Sequence, residues 1–170
     1  MKAHLFAAAL LILPTAAGAQ PVTHASERAM PMPPADYVAQ AAAGDMFEIQ
    51  SSQLALTKAK NPEVKAFAAM MVDHHTKTSA DLKTAAAAAG IKPPEALPED
   101  KAGKLKALAD ASADDFDALY VSEQIAAHAE ARSLHKTYGG NGDNAALKAV
   151  ALKAFPIVEG HLEKAKTLAK

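Results

Sequence analysis

Residues 61–90 read NPEVKAFAAMMVDHHTKTSADLKTAAAAAG. Asn61 suits a helix N-cap, Pro62 the first helical position, and Glu63 the first turn, where a negative charge complements the helix dipole. Val64, Phe67, Met71, His75, Thr78 and Leu82 then follow at three- and four-residue steps, the period of one helix face. Gly90 ends the pattern as a C-terminal glycine, and Pro93-Pro94 prevents any continuation. The stretch therefore predicts an amphipathic helix from Pro62 to Ala89, with one histidine, His75, at the centre of its apolar stripe.

The same period extends outward on both sides. Ala35 to Lys60 carries Tyr37, Ala41, Glu48, Ser52 and Ala55 on one stripe, with Val38, Ile49 and Leu56 beside it. Glu95 to Ser112 is a long connection that includes a short helix around Lys101 to Ala109. Ser112 caps a third long helix, whose apolar side holds Phe116, Leu119, Tyr120, Ala127, Ala131 and Leu134 and which stops at Gly139-Gly140. Asp143 or Asn144 starts the fourth, with Leu147, Val150, Ala151, Ala154, Val158, Leu162, Ala165 and Leu168 facing inward. Pro156 lacks an N–H and should bend that helix. Residues 35–170 thus predict an all-α four-helix bundle with a long connection between its second and third helices.

Composition agrees. The chain has 170 residues, 43 of them alanine, and aromatic residues make up only 5%, so helix propensity is strong and an all-β or doubly wound fold is excluded. A formal charge of -1 leaves no basic excess to neutralise a phosphate backbone or coat an anionic membrane, which argues against a nucleic-acid partner.

Residues 1–19 combine a short basic start, an apolar run from Leu5 to Leu13 and the small-residue triplet Ala17-Gly18-Ala19, the pattern of a secretory signal peptide cleaved after Ala19. The run is too short for the ~20 residues of a bilayer span. Residues 20–34, with Met30-Pro31-Met32-Pro33-Pro34, read as a disordered arm. With no cysteine there is neither a lipid anchor after cleavage nor a disulfide. The expected address is the periplasm, with secretion beyond it left open.

Each long helix carries a metal-competent side chain near its middle on the core side: Glu48, His75, His128 and His161. At 1.5 Å per residue, all four fall in one band about 10 Å tall. Three imidazoles and a carboxylate suit one divalent transition metal, Zn, Fe or Cu. The same residues would equally form a metal-free hydrogen-bonded network, with Ser52, Thr78 and Tyr120 completing it. His74, on the flank of its helix, and His135, near a helix end, read as solvated. Dinuclear carboxylate bundles show Glu-x-x-His on two helices. Here Ser51, Ala126, Ser133 and Leu162 stand three residues after Glu48, Glu123, Glu130 and Glu159, and no phosphate loop or nucleophile elbow occurs, so an enzyme is disfavoured.

Four segments in order carry a resemblance: Gly44-Asp45-Met46-Phe47-Glu48, Phe67 to Thr76, Phe116-Asp117-Ala118-Leu119-Tyr120 followed by His128, and Phe155 to Leu162. Over residues 36–169 the chain resembles the bacterial exported family known as domain of unknown function 4142. The resemblance implies a ferritin-like bundle, with the long connection as a crossover. It also implies that Glu48, His75, His128 and His161 match the family's recurring polar positions. His74 departs from the acidic residue usual there. The family brings no established activity. The sequence therefore leaves two functional expectations: an exported bundle holding a metal for metal handling or stress, or a structural or partner-binding bundle with a buried Glu/His network. It names no protein partner.

Overall fold

A computed structural model describes residues 31–170. Five helices occupy them: α1 (Pro34–Lys58), α2 (Pro62–Ala88), α3 (Glu99–Asp110), α4 (Phe116–Asn141) and α5 (Ala145–Leu168). Among the described residues there is no strand. The expected signal peptide and most of the expected arm lie outside the described residues.

The local signals act where expected. The Asn61 side chain accepts from the Glu63 N–H, and the Asn144 side chain accepts from the Leu147 N–H, each satisfying a donor that the first turn leaves free. Gly90 takes φ 69°, the left-handed conformation that ends α2.

Cross-helix pairs fix the topology. Tyr37 meets His135 while Ser52 meets Tyr120, so α1 and α4 run antiparallel. His74 meets His161 while Asp81 meets Lys153, so α2 and α5 do too. With the tight α1–α2 and α4–α5 turns, the order is up, down, down, up. The crossover with α3 carries the chain from one end of α2 to the far end of α4, as in ferritin-like bundles. Helix α3 packs against α1 and α4. Lys58 Nζ donates to the carbonyls of Leu108, Ala109 and Ala111 at 3.3, 2.5 and 2.9 Å, occupying the free acceptors at the α3 C-terminus.

Two apolar clusters sit at opposite ends of the bundle. Phe47, Phe67, Met71, Phe116 and Tyr120 belong to one, and Tyr37, Val38, Leu82, Tyr138 and Leu147 to the other. The polar residues of the site lie between them.

Three sequence expectations need correction. Leu56 is exposed rather than packed beside the α1 stripe. Helix α4 does not stop at Gly139-Gly140 but runs through both to Asn141. Gly139 is there for space: a Cβ at that position would lie 3.0 Å from the Leu152 side chain of α5. Because α4 continues, His135 is not terminal, and it is buried and hydrogen-bonded to the Tyr37 hydroxyl at 3.1 Å rather than solvated. Helix α5 runs unbroken through Pro156, which is compatible with the expected bend.

Candidate metal centre

The four side chains singled out in the sequence are all buried: Glu48 1% exposed, His75 2%, His128 0% and His161 4%. Each comes from a different long helix, so the site exists only when the bundle has assembled.

The three histidines form a near-equilateral triangle. Ring centroids are 5.5 Å apart for His75–His128, 5.3 Å for His75–His161 and 5.3 Å for His128–His161. One nitrogen from each ring lies within 4.8 Å of one from each of the others. His128 Nε2 is 3.3 Å from His161 Nδ1, and His75 Nε2 is buried with no hydrogen-bond partner.

The remaining nitrogens are held from behind. His75 Nδ1 donates to Asp45 Oδ1 at 2.8 Å and faces Glu48 Oε2 at 3.0 Å. His128 Nδ1 lies 2.8 Å from the Gln124 carbonyl, which can only accept, so that nitrogen carries the proton. It is also 3.3 Å from Glu48 Oε1. Glu48 therefore stands behind both rings, at their Nδ1 atoms, whereas His128 turns its Nε2 toward His161. His161 Nε2 is 2.8 Å from His74 Nδ1, and the two rings stack with centroids 5.0 Å apart.

Burial and charge oppose each other here. Burial works against charge on His75, but the Glu48 carboxylate and the hydrogen bonds to Asp45 and Glu48 outweigh it and hold the imidazole up at about 10. Burial likewise works against charge on Glu48, yet the neighbouring His75 and His128 rings bring it down to about 2. Asp45 is pushed up by burial despite its bond to His75. Burial, helped by the other histidines, lowers His161 to about 3. The two carboxyl groups thus favour positive charge beside them at His75, as a proton or as a metal ion that replaces it, while burial and the other rings disfavour charge on His161.

Two members of this arrangement escaped the sequence reading. His74, expected to be solvated, keeps part of its ring exposed yet bonds His161 directly, because position 74 faces α5 while position 75 faces the bundle axis. Asp45 fills the gap between Ala41 and Glu48: the steps from 41 to 45 to 48 to 52 are helical, and that spacing is the signal that could have found it. Thr78 Oγ1, part of the expected network, donates to Asp45 Oδ1 at 3.0 Å. Ser52 and Tyr120, also expected there, pair with each other at 2.8 Å.

A cavity of about 570 Å³ opens between α1, α4 and the crossover, and Asp45, Glu48, His75 and His135 are among the residues that line it. No helix among the described residues is long and apolar enough to cross a membrane.

No curated protein matches the chain. Among solved structures it is similar to CopM in the Cu(II)-bound form, with a TM-score of 0.69 and 18% identity over 82% of this chain and 97% of that one. It is also similar to CopM in the Cu(I)-bound form, with a TM-score of 0.67 and 16% identity over 80% and 94%. At these identities the likeness concerns the fold. The sequence itself matches the family described as Domain of unknown function (DUF4142) over residues 19–168, a range that includes nearly the whole bundle, and the chain belongs to that family.

Proposed function

We propose that the protein is an exported, non-enzymatic bundle that holds one transition-metal ion on His75, His128 and His161 and serves metal handling. The observation that carries this is the triangle of buried imidazoles with His75 Nε2 left unpartnered. A buried polar atom without a partner is costly, and a metal would satisfy it. The other nitrogens are engaged by carboxylates, a backbone carbonyl or a neighbouring ring, as is usual behind metal-ligating histidines. On this reading Glu48 and Asp45 orient His75, and Glu48 completes the constellation from behind rather than as a fourth ligand.

Copper is the first choice of ion. An all-imidazole donor set suits Cu, Zn and Fe, and among divalent ions such a site favours Cu²⁺ most. The fold likeness to a protein solved in copper-bound forms supports the same choice. Export rests on the signal-like residues 1–19.

The test is metal analysis of untagged protein purified from the periplasm, followed by Cu(II) titration of the apoprotein. One ion per chain, lost in His128→Ala, is expected. A wild type that takes up no Cu(II), Zn(II) or Fe(II) would leave the metal-free Glu/His network as the function of these residues.

A further inference from the structure

The triangle is sealed by burial, so an ion needs a way in. Two approaches reach it from solvent. One is through His74, whose half-exposed ring touches His161. The other is the cavity between α1, α4 and the crossover, which ends on Asp45, Glu48 and His75.

Charge separates the two. Among the described residues, the only carboxylate within salt-bridge range of His74 is Asp73, 4.0 Å from the ring and itself bound to Lys77 at 2.6 Å. The cavity has carboxylates at both ends. Asp100 and Glu130 line its outer part with Lys101, which pairs with Glu130 at 3.2 Å, and Asp45 and Glu48 line its floor. Much of the wall between them is apolar, including Ala39, Ala131 and Leu134. Low-dielectric walls around like charges focus the field and concentrate counter-ions.

The floor also offers donors in place. One ligand atom from each of Asp45, Glu48 and His75 lies within 4.8 Å of the others, and Glu48 Oε1 is buried without a hydrogen-bond partner. Two carboxylates suit a divalent cation, and its arrival would displace the proton that His75 Nδ1 shares with them, freeing that nitrogen as a third donor.

We propose that this cavity is the loading route for a divalent cation, and that Asp45, Glu48 and His75 form a receiving site at its floor, ahead of the three histidines. The proposal rests on the metal-binding reading above. The ion sheds water against the two carboxylates first, then exchanges these oxygen ligands for imidazole nitrogens as it moves inward. No electron is transferred.

The experiment is stopped-flow loading of the full apoprotein with Cu(II), followed by the copper absorption, beside an equilibrium titration of the same samples. Ala131→Trp and Ala39→Trp narrow the cavity from two helices, and Asp45→Asn removes a receiving charge. Each should slow loading at least tenfold. The two Trp variants should still reach one ion per chain at unchanged affinity, and Asp45→Asn should load slowly as well as bind more weakly. The wild-type rate should fall steeply with added salt. Wild-type rates in both Trp variants, with loading slowed by His74→Ala, would overturn the route and place it at His74. A wild type that loads normally but is indifferent to salt and to all three cavity substitutions would also overturn it while leaving the metal site standing. A wild type that binds no copper at equilibrium would remove the site and the route together.

Discussion

Asp45 Oδ1 lies 2.8 Å from His75 Nδ1, joining α1 to α2 across 30 residues of sequence at the centre of the bundle. The bond does two things. It locks the ring so that Nε2 points away from the carboxylates, and it stabilises the charged imidazole in a place where burial alone would neutralise it.

Asp45→Asn tests the first role. The amide keeps an acceptor but loses the charge that makes the ring a better ligand. Such orienting partners typically change metal affinity 10- to 100-fold. Copper titration of this variant should therefore give weaker binding at an unchanged one-to-one stoichiometry. Unaltered affinity would mean that Glu48 alone orients His75.

His75→Ala tests the second. It would leave the Glu48 carboxylate, 1% exposed, without the cation that holds it at low pKa. Removing one member of a buried ion pair typically costs about 3–5 kcal/mol. Urea denaturation of the metal-free variant should show a loss of that order, partly recovered when Glu48→Gln is added. A loss under about 1 kcal/mol would mean that the pair is not charged in the folded state.

Stability of the apoprotein should peak near pH 6.5. His135, lowered by burial to about 4 from 6.5, binds its proton more readily when unfolded, so stability falls as pH drops from 6.5 towards 4. That single group accounts for about 3 kcal/mol. His161 acts in the same direction down to about 3. His75 is opposite in sign: its folded value of about 10 exceeds 6.5, so its contribution is complete below 6.5 and is lost as pH rises through 10. Glu48 contributes above 4.5 and loses that only as pH falls through 2. Thermal unfolding across pH 4–10 should trace a maximum with a slope on each side, and a flat alkaline limb would contradict the His75 pairing.

The architecture was legible in the sequence because its signals are local. Asn61-Pro62-Glu63, Gly90 and Asn144 act within one turn of the residues they cap, and the three- and four-residue steps do not depend on partners. The core histidines were legible for the same reason. Asp45, His74 and His135 were not, and each failed where a local reading gave out. Asp45 stands at helical steps from Ala41 and Glu48, but an inward carboxyl there makes sense only beside His75 of the neighbouring helix. Whether His74 meets solvent or α5 depends on the crossover, which sets which helices are neighbours. His135 was misplaced because Gly139-Gly140 read as a stop, whereas Gly139 serves the close approach of Leu152.

Pro156 gives a prediction about stability at an exposed helix position. It removes the N–H that would bond the Leu152 carbonyl, yet α5 continues through it. Proline in a helix interior costs roughly 3 kcal/mol relative to alanine. Pro156→Ala should therefore raise the stability of the apoprotein by about 1–3 kcal/mol, less than the full difference because the present packing has adapted to proline. If α5 relies on proline to aim His161, which follows by five residues, the same variant should bind copper more weakly. Greater stability with unchanged affinity would separate the two effects and show that His161 is aimed by its packing alone.

Glu48→Gln and His161→Ala together decide the composition of the centre. Glu48 Oε2 faces His75 Nδ1 at 3.0 Å, and Oε1 faces His128 Nδ1 at 3.3 Å, both behind the rings. If the carboxylate only supports them, Glu48→Gln should still bind one copper, weakened 10- to 100-fold. The spectrum of bound Cu(II) should keep its nitrogen hyperfine pattern, because the inner donors are unchanged. His161→Ala removes a donor and should abolish the rise in melting temperature that a ligand specific for the folded state produces. Because His161 is held neutral by burial and its neighbours, its loss should cost the metal-free fold less than the loss of His75. If Glu48→Gln abolishes binding as completely as His161→Ala, the carboxylate is itself a ligand, and the centre is built from one side chain of each long helix.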